Sequence, residues 1–194
     1  MGSRRDSLIS AAAKLLDRGG PAGVTLRGVG RAAGVSHNAP YKHFADKDQL
    51  LAAVAAREFR RQTDLAVSSP GGFVGERTPQ SLMVRYVRWA QRYRERFKLT
   101  FGRWVRDDET LRFEATRARS ILVAAVKTAQ ADGDLPAGEP ERLAALLWAL
   151  AHGAADLALS GHLSTEGNAP EAEDLVADLF RHLKRSTRTA RSLP

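Results

Sequence analysis

The chain of 194 residues contains no cysteine. Disulfides, thiolate nucleophiles and thiolate metal sites are therefore excluded, and nothing points to an oxidising compartment. Long apolar runs are missing too; none reaches the roughly 20 residues that span a bilayer. Arg4 and Arg5 lie near the N-terminus, but no apolar stretch of the kind that makes a secretory signal follows them. The expectation is a cytoplasmic protein with no membrane association. Strand signals are scarce: alternating β-branched runs do not occur, and Asp132-Gly133 stands between two helical patterns. Catalytic signatures are equally thin. The five histidines (His37, His43, His152, His162 and His182) include no pair three or four residues apart, and no Gly-x-Ser-x-Gly occurs. The reading is a protein that is not an enzyme and has no cofactor and no metal.

What the chain does have is positive charge and helical periodicity. The net charge is +8, which attracts polyanions, chiefly nucleic acid or anionic membrane. Residues 1–50 hold eight Arg/Lys against four Asp/Glu, so half of the excess falls in the first quarter. Between Ser7 and Asp17 one helical face collects Leu8, Ala11, Ala12, Leu15 and Leu16. Gly19, Gly20, Pro21 and Gly23 end that helix. Thr25 is placed to cap a short second helix through Ala33, and Ser36 a short third one. A fourth helix runs from Asp46 to about Val67. Further helices are expected from Pro79 to about Arg94, at 109–131 and 140–160, and from near Pro170 until the pattern fades after Lys184. Ser68-Ser-Pro-Gly-Gly72 reads as a linker, which gives a domain at 4–64 and another at 65–194. The fold class is all-α, with about nine helices: a three-helix head and a larger helical-bundle body.

The informative stretch is Thr25 to Phe44. Gly34 supplies the left-handed residue that a tight helix-to-helix turn needs, and Val35 pegs the turn to the core. Leu26, Val29, Ala33, Val35 and Phe44 form an apolar underside. Arg27, His37, Asn38, Tyr41 and Lys42 are left outward, a set rich in donors for phosphates and base edges. In a helix-turn-helix, the second helix places its first residues in the major groove. His37 and Asn38 are the candidates for base edges, asparagine suiting adenine. Thr25, Arg27, Tyr41 and Lys42 suit backbone phosphate, and Lys47, at a helix start, does so doubly. Ser36, Ala39 and His43 complete the expected DNA-facing set. Gly28 and Gly30 within the second helix, and Pro40 within the third, weaken both elements.

Ala32-Ala-Gly-Val-Ser36, Tyr41, His43-Phe44 and Lys47, preceded by Ala11-Ala12 and the Gly19-Gly20 break, resemble the marker positions of TetR-family regulators. The resemblance covers residues 7 to about 55. It implies a DNA-binding head of three helices, a helical body that binds an inducer or a dimer partner, and usually repression of the genes served by a double-stranded operator. Leu147-Trp-Ala-Leu-Ala-His-Gly153 is similar to a Trp–His–Gly segment in the C-terminal domain of one branch of that family.

In the body, Tyr86, Trp89, Tyr93, Phe97, Trp104 and Phe113, together with Trp148 and His152, are candidates for a pocket taking a small apolar or aromatic inducer. Plain core is the competing reading for the aromatics, and a buried His152–Asp156 hydrogen bond is the competing reading for that pair. Arg85, Arg88, Arg92 and Arg96 read as a solvated helix face. Leu143, Leu146, Leu150, Ala154, Leu157 and Gly161, with Leu175, Leu179, Phe180 and Leu183, give the last two helices more apolar surface than a small body needs. A homodimer through those helices covers it. An all-α enzyme or carrier would leave the surface at 25–44 idle, and a nucleoid-like binder using charge alone would ignore DNA sequence.

Overall fold

A computed structural model describes residues 3–67, 77–102, 108–163 and 170–191, with side chains through 185. The expected linker at 68–72 and Trp104 lie outside the described residues. Among those described there are eight α-helices, two short 3-10 turns and no strand. The helices are α1 (Arg4–Gly19), α2 (Leu26–Ala32), α3 (Lys47–Val67), α4 (Pro79–Arg92), α5 (Arg94–Phe101), α6 (Glu109–Ala131), α7 (Pro140–Leu159) and α8 (Ala172–Arg191).

Local chemistry accounts for the boundaries. α1 starts three residues before the apolar periodicity does, because Ser3 and Asp6 form a reciprocal cap. The Asp6 amide donates to the Ser3 hydroxyl at 3.2 Å, and the Ser3 amide donates to the Asp6 carboxylate at 3.0 Å. Thr25 caps α2 by accepting from the Gly28 amide at 3.0 Å. Asp46 caps α3 by accepting from the Gln49 amide at 2.7 Å. Gly34, at φ 68°, turns the chain out of α2. The helix expected from Pro79 to Arg94 stops at Arg92, and Tyr93, at φ −123° and ψ 56°, separates it from α5. At the far end α8 does not fade after Lys184; its backbone stays helical to Arg191.

The largest correction concerns the third helix. Residues 37–39 form a turn, and Pro40–Lys42 form a single 3-10 turn with no side-chain cap. Proline has no amide hydrogen, so the i→i−4 bond that would join residue 40 to the Ser36 carbonyl cannot form. The Ser36 carbonyl instead accepts from the Ala39 amide at 3.0 Å, and the Pro40 carbonyl accepts from the amides of His43 and Phe44, each at 3.0 Å. Ser36 therefore shapes the turn through its backbone.

The chain divides into two compact units. The first comprises 1–61 and 93–116, the second 62–92 and 117–194, and the divisions fall within α3, between α4 and α5, and within α6. The first unit is centred on Leu8, Leu16, Val24, Val29, Phe44, Leu50, Leu51 and Val54, with Leu99 of α5 in the same cluster. The compact unit around the head ends at residue 61 on α3 and also takes in α5. In the second unit α4, α7 and α8 pack on one another. Leu82, Val87, Leu147, Ala151, Val176 and Phe180 are buried there.

α7 is apolar enough in length and composition to cross a membrane, although only 28% of that stretch is buried. Glu141, Arg142, His152 and Asp156 interrupt it. Leu146, Leu150 and Leu157 are exposed, whereas Ala154 and Phe180, expected on the outer faces, are buried.

If α5 belongs to the core of the first unit, Leu99→Ala should destabilise the protein by about 2–5 kcal/mol, the usual cost of emptying a closed leucine site. Leu65→Ala, at a half-exposed position, should cost less than about 1 kcal/mol. Urea unfolding of both variants checks the contrast.

Candidate nucleic-acid interface and the body cluster

The reading segment is held by close backbone approach. A Cβ on Gly30 would lie 3.1 Å from Cγ of Pro40 and 3.3 Å from the Ser36 carbonyl oxygen, and one on Gly28 would lie 2.9 Å from the Thr25 hydroxyl. The two glycines that looked costly in α2 are therefore there for space: one admits the 36–40 turn, the other admits the cap. At the far end of the segment Phe44 is fully buried, and the Arg5 guanidinium of α1 sits 5.2 Å above its ring centroid. The Gln49 side chain accepts from the Ala45 amide at 2.7 Å. That bond and the Asp46 cap fix the start of α3, so that Lys47 becomes its first residue.

This architecture leaves Thr25, Arg27, Ser36, His37, Asn38, Tyr41 and Lys42 exposed, with His43 and Lys47 half-buried. Ala39 is buried, at 7% exposure, because the 3-10 turn rotates it inward; it presents no side chain to a partner. Arg5, which carried no role in the sequence, lies at the end of the reading segment through its contact with Phe44. No spacing rule reveals that contact, which joins residues 39 positions apart.

In the second unit, four of the eight expected ligand residues come together. The Tyr86 hydroxyl and His152 Nδ1 are 2.8 Å apart. Tyr86 packs on Trp89 with ring centroids 6.0 Å apart, and Trp148 packs on His152 at 5.9 Å. The direction of the Tyr86–His152 bond follows the histidine tautomer. Burial pushes the Tyr86 pKa far up, so the phenol stays protonated. Burial also pulls the His152 imidazole down, against the opposing charge of Asp156. His152 thus has a hydrogen-bond partner in Tyr86 of α4.

Of the remaining candidates, Tyr93, Phe97 and Phe113 belong to the first unit. Phe97 is buried in the first unit, where it packs on Phe101 with centroids 5.5 Å apart. Tyr93, in the same unit, lies under the Arg96 guanidinium at 4.3 Å. Phe113 is 65% exposed. The non-helical residue Tyr93 ends the aromatic row begun by Tyr86 and Trp89, and α5, which follows it, belongs to the first unit.

Comparison with known proteins decides the family. Residues 8–54 match the model for bacterial regulatory proteins of the tetR family, and residues 80–183 match the model for the tetracyclin repressor-like C-terminal domain. The chain belongs to the TetR family. It is a DNA-binding transcription regulator and not an enzyme. A search of the curated proteins finds no match. Among solved structures, a protein of unknown function from Rhodococcus sp. RHA1 is 31% identical over 96% of each chain, with a TM-score of 0.77. Two others are similar in fold. The reduced form of E. coli NemR is 18% identical, covers 94% of this chain and 96% of its own, and has a TM-score of 0.61. PfmR, a TetR-family transcriptional regulator from Thermus thermophilus, is 14% identical, covers 92% and 97%, and has a TM-score of 0.64.

For this TetR-family chain the His152 environment has a consequence for stability. The folded pKa lies below the ordinary value of 6.5, so near and below that pH the unfolded chain binds more protons than the native one. The contribution of His152 is complete above pH about 6.5 and is lost as pH falls through the folded value. Between pH 7.5 and 5, the urea midpoint should fall further in the wild type than in His152→Gln. Parallel midpoints would show that this imidazole is not the titrating group.

Proposed function

We propose that the chain is a repressor that holds a double-stranded operator as a homodimer and is released by a small apolar or aromatic ligand. The division of labour is a DNA-binding domain at 4–64 and a ligand-binding and dimerisation domain at 65–194, at work in the cytoplasm. The carrying observation is the run of exposed hydrogen-bonding side chains from Thr25 to Lys42, displayed on elements anchored in the first unit by Leu26, Val29 and Phe44. In this reading Thr25, Arg27, Tyr41, Lys42 and Lys47 hold phosphates, and Ser36 and His43 stand beside them. His37 and Asn38 reach base edges. Arg5 adds a cation at the end of the segment.

The dimer reading rests on Leu146, Leu150 and Leu157 of α7, an apolar face that a second copy would cover. Half-buried Leu143, Leu175, Leu179 and Leu183 flank it on α7 and α8. The ligand reading rests on Tyr86, Trp89, Trp148 and His152, which combine aromatic surface with a hydrogen-bonded polar chain. Trp104 was named with them from the sequence. α3 is one continuous helix that carries Lys47 in the first unit and residues 62–67 in the second. A ligand that favours one setting of α3 would alter the spacing of two reading segments that must enter grooves roughly 34 Å apart, or a multiple of that. A typical coupling of about 1–3 kcal/mol would weaken DNA binding roughly 5- to 150-fold.

The test begins with a duplex selected by the protein from a random-sequence pool. Lys47→Ala should weaken binding to all duplexes alike and lower the salt slope by about one. Asn38→Ala should lose about 1–3 kcal/mol of discrimination at one base pair. Uniform loss in both would refute the division between phosphate and base contacts. Leu146→Glu should turn a dimer into a monomer at micromolar concentration in sedimentation; a wild type that is itself monomeric would refute the dimer.

A further inference from the structure

Of the four arginines that read as a solvated face, Arg96 is not solvated: it is 7% exposed, and its partner Glu58 on α3 is 1% exposed. Nη1 donates to Glu58 Oε1 at 3.0 Å. Nε and Nη2 fork onto the Asp17 carboxylate of α1 at 2.9 and 2.5 Å. Arg57 lies 3.6 Å from the same Glu58 oxygen and donates to the Ser10 hydroxyl of α1 at 2.8 Å. Two guanidinium groups and two carboxylates therefore join α1, α3 and α5 within the first unit. Burial pulls the Arg96 pKa down, but Asp17 and Glu58 outweigh it and the pKa rises; the group is a fixed cation.

Asp17 stands at the end of α1, where the chain turns towards the DNA-facing residues. A Cβ on the neighbouring Gly20 would lie 3.2 Å from Glu95 Oε2, so the first turn of α5 is seated on the corner Asp17–Gly20. Pro21–Gly23 then form one 3-10 turn, and Thr25, the cap of α2, follows, with Arg27 in that helix's first turn. A buried charged set of this kind is a poor choice for stability alone, since apolar residues of the same volume often serve as well or better. What a guanidinium fork supplies is geometry: it accepts a carboxylate in one plane and at one distance.

We propose that Arg96 is a positioning residue for DNA binding, which acts through Asp17 to fix the corner that aims Thr25 and Arg27. The proposal rests on the reading of Thr25 and Arg27 as phosphate contacts. It gives α5, which the sequence placed in the ligand body, a place in the DNA-reading unit. Arg96 touches no DNA in this scheme.

The experiment compares the full-length wild type, Asp17→Ala, Arg27→Ala, the double variant D17A/R27A and the double variant R96M/E58M. Each is measured for affinity to the duplex selected by the wild type and for thermal unfolding. Asp17 is exposed at the end of α1, but its carboxylate answers the buried Arg96 guanidinium, so D17A should melt below the wild type, and affinities are compared at a temperature where every variant is folded. The affinity of folded D17A should fall about tenfold, on the scale of one lost charge-assisted hydrogen bond. In the R27A background the same change should cost much less, because the residue it positions is already gone. R96M/E58M, which removes both buried charges together, should melt nearer the wild type than D17A and lose affinity as D17A does. Wild-type affinity in either D17A or R96M/E58M would overturn the proposal, as would losses in D17A and R27A that simply multiply. A wild type that selects no duplex at all would instead overturn the DNA-contact reading, and this proposal with it.

Discussion

A helix of seven residues cannot hold itself together in water, because nucleation costs more than so few hydrogen bonds return. α2 has seven residues and the turn after it three, yet these are the elements that carry the exposed donors. Everything else in the first unit answers to that constraint. Thr25 satisfies an α2 amide, Gly30 lets Pro40 and the Ser36 carbonyl close in, and Phe44 plugs the end of the segment. Longer helices then supply the walls: α1 and α3 contribute Leu8, Leu16, Leu50 and Val54, and α5 contributes Leu99. The donors are exposed because the apolar half of each short element is fully occupied.

Charge follows a similar logic inside the unit. Glu58, Arg96 and Glu114 are buried, and a buried ion without a partner is far costlier than a missing surface pair. Each is answered from another helix: Glu58 by Arg96, Arg96 by Asp17, and Glu114 by Arg60 at 2.7 Å. Composition registers only that the chain is basic. It does not reveal which arginines face water, because Arg85, Arg88, Arg92 and Arg96 are spaced alike in the sequence. The break at Tyr93 is what separates them, and it sends Arg96 inward while Arg88 pairs with Glu173 at 2.7 Å on the surface.

What could be read in the sequence was whatever depends on periodicity and turn residues within a few positions. The order of the helices, the Thr25 cap, the positive-φ Gly34 and the buried Leu26, Val29 and Phe44 are all local, and the structure has them in place. The third helix expected from Ser36 gives way to a 3-10 turn because the amide hydrogen missing at Pro40 outweighs a cap at Ser36. The aromatic set divides for a different reason. Tyr86, Trp89, Tyr93 and Phe97 form one stripe only if the helix is unbroken, and a single non-helical residue divides them between two units. Tertiary pairings across long separations, such as Tyr86 with His152 and Arg96 with Asp17, leave no trace in a single sequence.

The body cluster shows why a polar pair persists on an otherwise leucine- and alanine-rich helix. His152 on α7 has Asp156 one turn on, an exposed carboxylate whose charge opposes the effect of burial on the ring. A hydrogen bond comes from α4. A buried phenol needs an acceptor, and a neutral imidazole offers one only on the nitrogen without a proton. When the phenol donates to Nδ1, the proton of the neutral His152 stands on Nε2. Reversing that bond would put a proton on Nδ1 and take from the buried phenol the acceptor it needs. The pair therefore does for α4 and α7 what the Arg96 fork does for α1, α3 and α5: it ties elements by a bond that tolerates little change of direction, where leucine and alanine alone would let the helices slide.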